Sequence, residues 1–353
     1  LNFLLANYPI TPEDNSSTFV DNAPNAVKIL NISSPNSSGV SHNLFSDFNV
    51  SQSGLIINNS ALVEKNIVQT QLAGVIPINP NLQGSNSASL IINEVTSNNL
   101  SQLNGFVEIA GQKSDLIIAN PNGISINGAG FINVNNLNIV AGKVSYLPNT
   151  DQPNASQIYF NFDNQENGNN IKISEQGVNL EEVNATNFLA SKIKINAPIF
   201  AKENEVNLIA SQKNFSYFDK KFDNNIDNFS NKEFAIDAGN LTQIQGGKIF
   251  IIASDKGLGV NYNGDILSQK NGIKILSNGD IVVKNLKAIA DDIEISSFNG
   301  DVELTGNIAT SQKADIKIIA NNLINNAQVN SDQDIEIIAF NQIKNNKNNY
   351  FDD

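Results

Sequence analysis

The sequence predicts an all-β protein wound as a parallel β-helix, or solenoid, and three observations lead there. Apolar residues recur at i, i+2 in short bursts broken by Asn, Gly, Asp and Ser, as in Leu55-Ile56-Ile57 before Asn58-Asn59 and Leu116-Ile117-Ile118 before Asn120-Pro121-Asn122-Gly123. Helical periodicity is nearly missing. The C-terminal third also repeats itself: Ile249-Phe250-Ile251, Ile273-Lys274-Ile275, Ile293-Glu294-Ile295, Ile316-Lys317-Ile318 and Ile335-Glu336-Ile337 begin 24, 20, 23 and 19 residues apart. A period of about 20 residues that holds several short strands marks a solenoid.

Each tripeptide puts two Ile on one face of a strand and a variable residue on the other. Most are followed by a Gly- or Asn-bearing turn and a second strand, such as Asp280-Ile281-Val282-Val283 and Asp301-Val302-Glu303-Leu304. Inward aliphatic side chains then stack on the same positions of the coils above and below. Asn and Gly suit the corners because both tolerate φ > 0, and Asn amides can stack in hydrogen-bonded ladders. One coil alone cannot offset its ordering entropy, so each needs a template and the first needs a cap.

Residues 1 to about 75 read as that cap, with Pro9, Pro12, Pro24 and Pro35 interrupting the strand signals. Two excursions are expected outside the solenoid. One, near 150–170, runs as a hairpin through Tyr159-Phe160-Asn161-Phe162 into an Asn-rich stretch before Ile171. The other, near 214–234, mixes Phe215, Tyr217, Phe218, Phe222 and Phe229 with charges and packs on the outside. Residues 345–353 read as a polar tail without a terminal cap, as in a piece of a longer protein. The expected division is a module over 1–240, followed by continuing repeats over 241–353.

Composition narrows the function. A formal net charge of -13 argues against phosphate-driven nucleic-acid binding, and none of the 22 basic residues is arginine, so bidentate clamps on carboxylate or phosphate are missing. There is no Cys, hence no disulfide that would hinder threading through a pore, and no thiolate chemistry. Met is also absent, so Leu1 is not a translational start, and Leu1–Ala6 fits the tail of an apolar signal region. No stretch approaches the ~18 apolar residues of a membrane span.

His42 is the single histidine and is expected to make a structural hydrogen bond. The adjacent pairs Glu181-Glu182 and Asp291-Asp292 face opposite sides of any strand, which suits solvated turns better than a catalytic dyad. No catalytic residue, metal site or cofactor is expected. The sequons at Asn15, Asn31, Asn36, Asn154 and Asn214 are what a chain rich in Asn and Ser produces by chance.

The stretch from Asn79 to Gly142 is more specific. It opens with Asn79-Pro80-Asn81-Leu82, continues through Ile91-Ile92-Asn93-Glu94-Val95-Thr96 and Val107-Glu108-Ile109-Ala110-Gly111, and reaches Asn120-Pro121-Asn122-Gly123-Ile124. It resembles the two-partner secretion domain of the filamentous-haemagglutinin and contact-dependent inhibition family, whose hallmark motifs read NPNL and NPNGI. Val40-Ser41-His42-Asn43 with Asp47-Phe48-Asn49-Val50, and Thr70-Gln71-Leu72-Ala73-Gly74, extend the likeness, which covers residues 25 to 265. One departure stands at Ser125-Ile126-Asn127-Gly128, where many haemolysins and inhibition toxins carry a Cys pair; this is closer to the haemagglutinin type.

The resemblance implies a right-handed parallel β-helix with an N-terminal cap and extra-helical hairpins. It implies export to the periplasm, then recognition by the periplasmic POTRA domains of a TpsB transporter of the Omp85 superfamily. Secretion to the surface of a Gram-negative cell follows, with a monomeric folding-nucleation module leading a large exoprotein. Asn79, Pro80, Asn81, Leu82, Asn120, Pro121, Asn122, Gly123 and Ile124 are then the candidates for transporter recognition or folding. Their turn chemistry fits coil corners, while contact with the transporter, including pairing onto a sheet edge, is the competing role. Two other functions are weighed: an adhesin face binding host receptors or glycans directly, and a polysaccharide-cleaving β-helix, which the missing Arg and lone His disfavour.

Overall fold

The structure is a computed structural model describing residues 8–14, 16–61, 66–147, 154–162, 169–222, 233–346 and 351–352. The chain winds into a parallel β-helix with three sheets along its length. The first sheet stacks Val40–Phe48, Leu90–Val95, Ser114–Ala119, Val134–Val140, Ala185–Ala190, Glu205–Ala210 and Lys248–Ala253. It continues through Ile273–Ser277 and Ile293–Ser297 into the beginnings of Ile316–Asn325 and Ile335–Asn345. The second sheet runs from Ser101–Leu103 through Ile124–Ile126, Asn170–Ile173 and Lys192–Ile195 to Glu233–Ala238. The third starts at Lys28–Asn31 and passes through Leu55–Asn59, Phe106–Gly111 and Ala129–Ile132.

The repeat read from the sequence is the inward stack of the first sheet. Ile249, Ile273, Ile293 and Ile316 pair in register, as do Ile251, Ile275, Ile295 and Ile318, and all eight are buried. The residue between them faces out. There Lys274, Glu294, Lys317 and Glu336 form a column of alternating sign, with Lys274–Glu294 and Lys317–Glu336 each 2.6 Å apart. Earlier coils carry asparagine at this position: Asn207 donates to Asn187, and Asn187 to Asn138, each at 2.8 Å.

Corners rely on asparagine and glycine as expected. Asn133 sits at φ 58 between the third and first sheets, its amide donating to the Ile109 and Gly111 carbonyls. At Gly247 the need is for space: a Cβ there would lie 1.9 Å from the Glu203 carbonyl oxygen of the preceding coil.

Four expectations change. The cap is shorter than 75 residues. Val40–Phe48 and Leu55–Asn59 already pair in parallel with the coil above, so the cap is the antiparallel pair Phe19–Asn22 and Lys28–Asn31, plus Ile10–Pro12 antiparallel to Val40–Phe48. Proline density signalled irregular connections, not the limit of the coil. A hairpin, Ile67–Thr70 with Gly74–Pro77, was hidden in that span and stands outside the solenoid.

The first excursion begins earlier than Tyr159. Lys143–Tyr146 is the outgoing strand, Ile158–Asn161 the returning one, and Phe215–Ser216 adds a third, so the two excursions form one antiparallel arm. Phe234 belongs to a coil strand, at a register shift before Ile236; Phe229 and the Asn-rich run over 163–168 lie outside the described residues. The tail contains a further rung, since Phe351–Asp352 pairs in parallel with Val329 and Asn330.

The arm lies on the outer face of the first sheet. Val144, Ile158, Phe160, Phe215 and Tyr217 cover Val40, Leu90, Ile92, Ile117, Val140 and Leu189, making a second core beside the inner one. A solenoid sheet whose outward positions are apolar needs such a cover.

Candidate functional site

The first motif is a lock between cap and first coil. Pro80–Leu82 form a single 3-10 turn capped by Asn79, whose side chain accepts from the Asn81 N–H at 2.9 Å. Pro at N1 has no N–H to leave unpaired there. The Asn79 amide is fully buried and donates to the Ile32 carbonyl at 2.9 Å and the Asn58 carbonyl at 2.8 Å. Asn81 reaches back to the Ser17 carbonyl at 2.8 Å and the Ile32 carbonyl at 3.1 Å, and its own carbonyl accepts from Ser34. Leu82 is buried beneath the turn. Cap residues 17–34 and coil residues 58–60 are therefore joined through four consecutive residues.

The second motif repeats the device in the next coil, at the corner between Ser114–Ala119 of the first sheet and Ile124–Ile126 of the second. Asn120 is fully buried; its side chain accepts from the Asn122 N–H at 2.9 Å and donates to the Asn99 carbonyl and Ser101 hydroxyl, each at 2.9 Å. Asn122 donates to the Ser97 carbonyl at 2.6 Å. The Pro121 carbonyl accepts from Asn169 N–H at 2.8 Å in the following coil. Gly123 has φ +108, and a Cβ there would meet the Asn170 carbonyl oxygen at 3.0 Å, so both conformation and space require glycine. Ile124 points inward, paired with Ser101 on one side and Ile171 on the other.

The two motifs are not brought together. Among the described residues no hydrogen bond joins them; the first ties its corner to the cap and the strand before it, the second to the coils on either side. Pro80 is exposed, and Asn81, Pro121 and Asn122 are half-buried, while the remaining five positions are buried.

Sequence reasoning missed a set of acidic residues, buried at Glu94, Glu108 and Asp255 and half-buried at Asp115, that tether what lies outside the solenoid. Glu94 accepts from the Val144 N–H at 2.9 Å and from His42 Nε2 at 2.8 Å, while His42 Nδ1 faces the Tyr146 hydroxyl at 2.7 Å. His42 is thus structural, as expected, and joins the arm to two rungs of the first sheet. Asp115 accepts from the Tyr217 hydroxyl at 3.1 Å and from Asn135 and Asn136, and Asp255 accepts from the Gln212 N–H at 2.6 Å where the arm departs. Burial, with Glu94 beside one and Asp115 beside the other, pushes the Tyr146 and Tyr217 hydroxyls above the ordinary tyrosine range, so both stay protonated donors.

Glu108 does the same for the hairpin, accepting from the Gln71 and Leu72 N–H groups at 2.7 and 2.8 Å. Hydrogen bonds to a charged acceptor contribute roughly 1.5–3 kcal/mol each. Glu108→Gln keeps the shape but loses the charge and one acceptor. We expect amide exchange at Gln71 and Leu72 to accelerate at least tenfold while the first-sheet amides are unchanged; equal protection in both proteins would remove Glu108 as the tether. Glu94, Glu108 and Asp115 each sit at an outward position of a coil strand, and Asp255 in the bend after Lys248–Ala253; the sequence carried no signal of the first three beyond an acid among aliphatics.

A family model described as TPS secretion domain matches residues 9–283. The chain is 33% identical over 324 residues to a 16S rRNA endonuclease CdiA from Enterobacter cloacae subsp. cloacae, covering 88% of this chain and 9% of that protein. It is also 33% identical to a tRNA nuclease CdiA from Yersinia mollaretii, covering 90% of this chain and 10% of the relative. The chain thus spans about a tenth of the length of these curated relatives. Among solved structures, that of the filamentous hemagglutinin secretion domain superposes with a TM-score of 0.67 at 25% identity, over 96% of this chain and 99% of the other. The departure at Ser125–Gly128 does not set the chain apart from CdiA proteins.

Proposed function

Since the chain belongs to the TPS secretion domain family, we propose that it is the recognition and folding-nucleation module by which a larger exoprotein leaves its cell. Such exoproteins are secreted and surface-exposed in Gram-negative bacteria and depend on a cognate TpsB transporter. The finer reading is that the transporter's periplasmic POTRA domains hold this module before the first coils form. The observation that carries it is the lock at Asn79–Leu82, which closes cap onto first coil and so supplies the template on which later coils add.

The motif residues are then mainly folding determinants. Asn79, Leu82, Asn120, Gly123 and Ile124 are buried, so in the folded state they offer a transporter no surface. Any direct contact belongs to the unfolded segment or to Pro80 and its half-buried neighbours. No catalysis is assigned to this module: the nuclease names belong to proteins of which it spans about a tenth. Receptor binding is left to the larger exoprotein.

We place the end of the module near residue 240. Up to Gln243–Gly246 the second and third sheets use separate short strands; in the next three coils one long, bulged strand serves both, at Leu258–Ser268, Ile281–Ala288 and Val302–Thr310. The test is deletion of residues 9–240 from the exoprotein in cells carrying the transporter. Retention in the periplasm is expected, and undiminished export would overturn the reading.

A further inference from the structure

Eight Asn-Gly pairs occur in the sequence, and the fold treats them unequally. An asparagine before glycine can modify itself, because the glycine amide nitrogen reaches the asparagine side-chain carbon with no Cβ in its way. The reaction has three requirements. The glycine N–H must be free of an acceptor, the asparagine amide must be free to swing back onto it, and water must reach the product. Asn167-Gly168 lies outside the described residues, which leaves seven pairs.

Four of the seven are held at both groups. The Gly123 and Gly128 N–H groups donate to the Asn120 and Gly177 carbonyls, and those of Gly279 and Gly300 to the Ser277 and Ser297 hydroxyls. Their asparagine amides are engaged as well: Asn122 with the Ser97 carbonyl, Asn127 with Glu175, Asn278 with the Ser254 carbonyl and Asn299 with Asn278. Asn263 donates to Asn261 within one strand, and Asn104 is half-buried. Asn271 differs on every count. It is exposed, at the corner leading from Leu258–Ser268 to Ile273–Ser277. Among the described residues its side-chain amide has no hydrogen-bond partner, and no acceptor takes the Gly272 N–H. The backbone around the pair is fixed all the same: the Asn271 N–H donates to the Gly247 carbonyl at 2.7 Å, and the Gly272 carbonyl accepts from Ile249 at 3.2 Å. Gly272 has φ +73, which keeps glycine at this corner.

We propose that Asn271 is a site of spontaneous deamidation and isomerisation. The Gly272 nitrogen bonds to the Asn271 Cγ and gives up its proton, the bond from Cγ to the side-chain nitrogen breaks, and ammonia leaves a cyclic succinimide. Water then opens the ring. Attack at Cγ gives aspartate, and attack at the α-carbonyl gives isoaspartate, whose main chain is one carbon longer. Water is the sole co-reactant. Because Ile273 and Ile293 are paired, the new carboxylate lands beside Asp291 and Asp292 of the following coil. Like charges and a lengthened corner then work against the bonds at this joint, among them the Ile273 N–H to the Asp292 carbonyl at 2.9 Å. The site lies in the repeats and does not rest on the secretion role.

The experiment is incubation of the folded 353-residue chain in mildly alkaline buffer, followed by peptide mapping with mass spectrometry and by enzymatic methylation of isoaspartate. Releasing an N–H or a side-chain amide from its partner slows ring closure about tenfold, so Asn271 should exchange NH2 for OH at least about tenfold faster than the other six described pairs. Aspartate and isoaspartate should both appear, at a rate that rises with hydroxide. In denaturant the seven pairs should react at similar rates. Asn271→Gln should keep the melting temperature, since the side chain is exposed, and should stop the reaction at this corner. Modified chain, separated from unmodified, should exchange the Ile273 amide faster. Conversion of another described pair as fast as Asn271 would overturn the proposal, as would aspartate formed without isoaspartate. A lead for Asn271 that persisted in denaturant would remove the fold from the explanation and also overturn it.

Discussion

Asn79→Ala is expected to lower the stability of the chain by about 2–4 kcal/mol, because a single truncation removes three hydrogen bonds at the join of cap and coil. The Asn58 carbonyl loses this donor and the Asn81 N–H its acceptor, while the Ile32 carbonyl keeps only the longer bond from Asn81. Replacing Asn with Asp restores only the acceptor and sets a carboxylate against two carbonyls, so it should be no better. Denaturant unfolding of the purified chain measures the loss, and secretion with the transporter is scored separately. If stability falls and secretion falls with it, the motif acts through the fold. Lost secretion at wild-type stability would instead mean that Asn79 is read directly by the transporter. Pro80→Ala is the matching control: it changes an exposed side chain, so a selective secretion defect there would point to contact.

Ile275→Asp should have the largest effect in the repeats. Ile275 is stacked between Ile251 and Ile295 with no solvent access. A carboxylate there has no partner in the core, and more than about 4 kcal/mol is expected to be lost. In a solenoid the damage is local, since each coil touches only its neighbours. Unfolding should therefore separate into two transitions, the coils after residue 273 melting first and those around the arm keeping most of their stability. A single transition merely shifted down would show that the whole solenoid folds as one cooperative unit.

Much of this was legible in the sequence, and the parts that were not share a cause. The inward stack appeared as Ile-x-Ile because one side chain in two meets the core, and the motifs appeared because Asn-Pro-Asn has few uses other than a capped turn. The arm was legible only as aromatic residues out of place. Its first strand, Lys143–Tyr146, has no pattern of its own, because it gains its face from residues as distant as Val40 and Leu90. The tethers at Glu94, Glu108 and Asp115 were invisible for the same reason: an acidic residue at an outward position normally meets water, and only the folded arm or hairpin turns it into an acceptor for protein donors. The first coil was hidden inside the apparent cap because its hairpin insertion breaks the period.

The column Lys274, Glu294, Lys317, Glu336 works as a parity check on coil addition. Exposed pairs of this kind contribute under about 1 kcal/mol each, too little to hold the solenoid together. Their value is in discrimination. The repeats are so alike that a later strand could dock on the growing end in place of the next one. If 316–319 docked where 293–296 belongs, Lys317 would face Lys274, and the aliphatic stack beneath would not notice the error. The alternating signs would. An omission of one coil is penalised along the outer face, so the chain keeps count of its turns with side chains that its core does not need.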